Sequence, residues 1–126
     1  MNLEPVMQYL SLEGYGDPGI DLFREFLPHD IERGIVLLSM NPVPIHPYLE
    51  TRRGSFQIIG RDRDLDRLRE KMESVSGAFA GGSGLVLGDM KFHFIIPEYE
   101  PLMFPRTESG IQEASVSFAF SFIQQT

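Results

Sequence analysis

A chain of 126 residues fits one domain and is long enough to bury most of its unfolded surface in a single core. Its 18 acidic residues against 11 Lys and Arg leave a formal charge of −7, which repels a phosphate backbone at long range and argues against sequence-reading nucleic-acid binding. The absence of Cys excludes disulfides and thiolate metal sites, and a chain that is 42% hydrophobic and 23% charged lacks the composition of a disordered segment. No basic segment and apolar run mark a signal peptide, and no apolar stretch approaches the roughly 18 residues that span a bilayer. Synthesis in the cytoplasm and no membrane partner are therefore expected.

Leu3, Val6, Met7 and Leu10 recur at i, i+3, i+4 and i+7 and predict a helix from about Asn2 to Leu12, with Asn2 as cap and Pro5 in the tolerant first turn. Gly14, Gly16, Pro18 and Gly19 then punctuate a loop. Ile20 to Leu27 fits neither period cleanly, and a strand is favoured over a helical turn. Ile35-Val36-Leu37-Leu38 predicts an interior strand covered on both faces. Three prolines make Asn41 to Pro47 an exposed connection, and Ser55 to Gly60 predicts the next strand.

Beyond Asp62 or Asp64 as N-cap, Leu65, Leu68, Met72, Val75 and Phe79 keep helical spacing through a charged segment. Gly81-Gly82-Ser83-Gly84 predicts a mobile link after it. Phe92, Phe94 and Ile96 predict a strand with one aromatic face, and Leu102 to Phe104 another short strand. The last segment alternates most plainly: Ala114, Val116, Phe118, Phe120 and Phe122 share one face, and Ser115, Ser117, Ala119 and Ser121 the other. At about 3.3 Å per residue such a strand runs approximately 40 Å, long enough to extend past its own sheet toward a partner.

Chemistry is hard to place on these elements. His29, His46 and His93 are far apart and lack zinc-motif spacing. Asp62, Asp64 and Asp66 resemble the start of a calcium loop but lack its Gly and distal Glu, so capping and solvated ion pairs explain them better. The glycine run follows a helix and lacks the Lys-Ser/Thr ending of a phosphate loop. No Gly-x-Ser-x-Gly elbow is present, and no hydroxyl has a sequence-evident base. No catalytic residue, metal ligand or cofactor is predicted.

The order of the pieces resembles the bacteriophage tail terminator proteins, a family of minor capsid or tail completion proteins. The resemblance rests on the N-terminal helix, Leu22-Phe23-Arg24-Glu25-Phe26-Leu27-Pro28, the Ile35–Leu38 strand, and Ser55-Phe56-Gln57-Ile58-Ile59-Gly60-Arg61-Asp62 leading into a helix. A Pro101-to-Gly110 segment and the long final strand complete it, while the proline-rich Asn41-to-Arg53 connection departs from the glycine-rich loop expected there.

The resemblance implies one α+β domain over 1–126, a mainly antiparallel or mixed sheet packed against two helices. It further implies a non-enzymatic virion protein at the head-proximal end of the tail. Its expected partners are copies of itself in a ring, commonly a hexamer, the tail tube protein and the head–tail connector, with DNA passing through unbound. Arg52, Arg53, Arg61, Arg106 and Glu108 lie in charged segments expected to be exposed and are the candidate contact residues. The alternatives are another head–tail joining or tail protein, a small ligand-binding or enzymatic α+β domain, and an inhibitor that binds another protein.

Overall fold

The computed structural model describes residues 1–40, 43–45, 50–104 and 109–125. In chain order the elements are α1 (Glu4–Leu12), β1 (Leu22–Arg24), β2 (Gly34–Ser39), β3 (Thr51–Asp62), α2 (Leu65–Ser76), β4 (Val86–Leu87), β5 (Met90–Pro97), β6 (Leu102–Met103) and β7 (Gln112–Gln124). The strands form one sheet in the order β1-β2-β3-β7-β5-β4, with β6 also on β7. Only β1 and β2 run parallel, so the sheet is mixed, and the two helices share one core with it, as an α+β fold requires.

Period-two patterning at the C-terminus does produce the long strand β7, but it runs through the middle of the sheet. Strand β3 pairs with it from Thr51↔Ile123 to Asp62↔Gln112, while β5 and β6 occupy its other edge. The expectation that β7 reaches past its own sheet is therefore corrected. Its partner β3 is 12 residues long and begins at Thr51, because Arg52, Arg53 and Gly54 join the ladder without any apolar alternation to announce them.

The Phe row is the centre of the core. Phe118 stacks on Phe56 at 5.2 Å between ring centroids and takes Phe79 edge-on at 5.2 Å. Phe92 meets Phe120 edge-on and tilts against Phe122, so aromatic contacts run along much of β7. Burying each such side chain fully is worth about 1.5–3 kcal/mol, and Phe118, Phe120 and Phe122 are all buried.

Helix α2 starts where Asp64 accepts hydrogen bonds from the amides of Asp66 and Arg67, and it presents Leu68, Met72 and Val75 to the sheet. It ends at Ser76, and Phe79 drops into the core from beyond the helix. In α1 the cap position is Leu3, with no side-chain cap, while Asn2 Oδ1 accepts from the Glu4 amide at 3.0 Å. The expected cap is thus displaced by one residue.

Three further expectations change. In the Ile20–Leu27 stretch only Leu22–Arg24 is strand, and Ile20 and Phe26 lie exposed outside it. The aromatic alternation of β5 is broken by a bulge between Phe92 and Phe94, so Phe92 and Ile95 point to the core while Ile96 is exposed. The glycine run is a fixed turn: the Gly81 carbonyl accepts from the Ile95 amide, the Gly84 amide donates to Phe92, and Gly82 (φ +73°) lies so close to β5 that a Cβ would meet Ile95 N at 2.7 Å.

Candidate functional site

The candidate contact residues are not gathered at one place. Arg52 and Arg53 stand at the start of β3 and Arg61 near its end, about 30 Å apart at the rise of an extended strand. Arg53 is exposed opposite Ser121, and half-buried Arg52 sits opposite Phe122, beside Asp89 and Gln124. Arg61 is not exposed as expected: its side chain keeps only 18% of its accessible surface. Its Nη1 donates to the Pro28 and Ile31 carbonyls at 3.3 and 3.0 Å, and Nη2 reaches Glu113 at 3.4 Å, so it fastens the β1–β2 connection. Arg106 and Glu108 lie outside the described residues.

The alternating Arg and Asp residues that follow tie the beginning of α2. Arg67 Nε and Nη2 each donate to the buried Asp62 carboxylate at 2.7 Å, and the Asp64 amide adds a third bond at 2.9 Å. Burial pushes the Asp62 carboxyl up, but the Arg67 bonds, the Asp64 amide and the charges of Arg67 and Arg33 together hold it below its ordinary value. Arg63 forks onto Glu32 with two bonds of 2.7 Å, and Asp66 faces Arg69 at 3.7 Å. Among the described residues no three His, Asp or Glu side chains converge as a metal cage would require. His29 and His93 are exposed, and His46 lies outside the described residues.

Between the start of β2, the end of β3 and the flank of α2 is a cleft of about 230 Å³ lined by Arg33, Arg61, Arg67 and Lys71 together with Asp21 and Asp62. Lys71 Nζ donates to the Tyr15 carbonyl at 2.6 Å and lies 5.5 Å from the centre of the Tyr15 ring. Burial lowers the Lys71 pKa, opposed by Asp21 and assisted by Arg33. No local motif announced this cleft, because its residues come from four separate segments between positions 15 and 71.

Both helices pack on the Phe face of the sheet, and the opposite face carries the small row of β7. There Ser115, Ser117 and Ser121 are buried between larger neighbours: Tyr99 Oη lies 2.9 Å from Ser117 Oγ, and Leu102 is the register partner of Ser115. Met40, Ile96, Tyr99 and Leu102 around this row are 44–50% exposed, which makes it a shaped, largely apolar surface.

A family model for bacteriophage tail terminator protein matches residues 9–123. The chain belongs to the bacteriophage tail terminator family. The match runs from within α1 to Ile123 in β7, so the charged cleft, the apolar face and nearly the whole sheet lie inside the family region. The chain is accordingly a structural phage tail protein. Among solved structures, a chain from the virion of a native gene transfer agent particle superposes with a TM-score of 0.59 at 14% identity, covering 91% of this chain and 84% of that chain. At that identity the likeness concerns the fold. None of the curated proteins matches this chain.

Proposed function

We propose that this protein forms a closed ring, a hexamer in the simplest arrangement, that caps the head-proximal end of the tail tube, ends its polymerisation and offers the head connector a joining surface. The family match over residues 9–123 carries this reading. The fold supports it physically, because a cap needs one face complementary to the last tube ring and another that cannot recruit the next, and a sheet clad by helices on one side only is two-faced. No bond is made or broken in such a role. The origin of the superposable chain in a virion particle supports a place in the virion, with assembly in the host cytoplasm. The chain's charge of −7 suits a channel through which DNA passes without sticking.

Mixing the purified protein with its tail tube protein tests the proposal. Discrete rings by native mass measurement, and tubes that stop growing and show an added ring at one end by electron microscopy, are expected. Tubes that lengthen unchanged in excess of this protein overturn it.

A further inference from the structure

The cleft beside α2 holds four cations against two carboxylates, in a chain that is acidic as a whole. Both carboxylates are already engaged, Asp62 by Arg67 and the Asp64 amide, and Asp21 by the Asp17 amide at 2.6 Å. Lys71 donates only to a carbonyl, and exposed Arg33 makes no hydrogen bond or ion pair among the described residues. Arg61 is paired with Glu113 and Arg67 with Asp62, so among the described residues Arg33 and Lys71 are the cleft's cations without an ion pair. Ligand pockets for drug-sized molecules run from about 300 to 1,000 Å³, so a cleft of about 230 Å³ is sized for a side chain.

Two carboxylates without an ion pair lie across β7 from the cleft. Glu98 and Glu100 follow β5 in an exposed turn, and neither side chain is paired among the described residues. The Glu98 amide fixes the turn to the Ser117 carbonyl at 2.8 Å. Cleft and turn lie on either side of β7, the cleft where β2 meets β3 and the turn between β5 and β6, where Glu100 borders Arg69 and Glu73 of α2. Two unlike patches on one chain are what a head-to-tail contact needs, and such contacts close into rings where the rotation between subunits closes.

We infer that the cleft is a carboxylate-binding socket that receives the Glu98–Glu100 turn of a second copy of this chain. The inference rests on the ring proposed above and supplies its subunit contact. The socket gives Arg33 its missing anion and sets the direction of the ring, because charge complementarity fixes register and rejects reversed pairing.

Charge reversal tests it. Arg33→Glu, and separately Glu98→Arg with Glu100→Arg, are each expected to raise the subunit dissociation constant at least about tenfold, and the combination in one chain to restore most of the loss. Arg33→Lys keeps the charge and should assemble, while circular dichroism melts check that every variant folds. Normal rings from Arg33→Glu, or a combination no better than its parts, overturn the socket and leave the ring standing. If the unaltered chain forms no ring, NMR titration of the labelled chain with a peptide of residues 97–101 decides the matter. Saturable shifts at Gly34 and Leu68 that vanish with the Glu→Gln peptide support the socket; absent shifts, or equal shifts with both peptides, overturn it.

Discussion

Gly60 lies so close beneath Met72 that a Cβ added to it would sit 2.5 Å from Met72 Sδ and 3.0 Å from Leu68 Cδ1. The contact sets how tightly α2 rests on the sheet, since Gly60 is the register partner of Ala114 and both present almost nothing to the helix. Gly60→Ala is expected to destabilise the protein by about 1–3 kcal/mol through overpacking. Because the clash is with Met72, the cost should couple to Met72→Ala and not add to it. Urea unfolding of both single variants and the double variant measures this; strict additivity would remove Met72 from the explanation.

The same contact shows what could be read from the chain and what could not. Helix α2 and strand β7 are legible because each buries one face and so imposes a single period on Leu68, Met72 and Val75 or on Val116, Phe118 and Phe120. Thr51–Gly54 of β3 is hidden, because Arg52 and Arg53 lie at the end of the sheet where no alternation is enforced. The β5 bulge is hidden too, since one unpaired residue reverses the facing of all that follow and leaves no compositional mark. The cleft was invisible for a different reason: it depends on the close approach of Gly34 to Asp21, where a Cβ would meet the Asp21 carbonyl oxygen at 2.9 Å, and such contacts between distant segments have no local period.

Asp62 predicts an acid sensitivity. Its folded pKa lies below the ordinary value of 3.8, so the stabilisation it brings is present above that value and is lost as pH falls through the depressed one. Asp62→Asn should therefore be less stable than the unaltered chain near neutrality, and the gap should close as the pH falls from about 5 to about 2. Thermal melts across that range test the sign. A constant gap would mean that Asp62 acts by shape and hydrogen bonding with no contribution from its charge.

Two serines two positions apart on β7 should respond in opposite ways. Ser115 Oγ is buried without a hydrogen-bond partner among the described residues, whereas Ser117 Oγ lies 2.9 Å from Tyr99 Oη. Removing an unsatisfied buried hydroxyl is neutral or favourable, and breaking a satisfied pair costs about 0.5–1.5 kcal/mol. Ser115→Ala should match or exceed the stability of the parent, and Ser117→Ala should fall below it by about that amount. Equal losses at both sites would indicate that Ser115 has a partner after all. Ser117→Pro, by contrast, interrupts a strand paired on both edges and is expected to prevent folding.

Arg61 separates a structural role from an assembly role. Its guanidinium holds the Pro28 and Ile31 carbonyls, so Arg61→Met should release the connection between β1 and β2 while leaving the ladder of β2, β3 and β7 paired. Bonds from a charged donor contribute about 1.5–3 kcal/mol, and freeing them should speed tryptic cleavage after Arg24 and Arg33, which flank that connection, by roughly tenfold. Time-resolved proteolysis read by mass spectrometry gives the rate at each bond. Faster cleavage at these two sites, with the remaining sites unchanged, fits an arginine that fastens its own chain; unchanged cleavage together with impaired ring formation would move Arg61 to a contact with a partner.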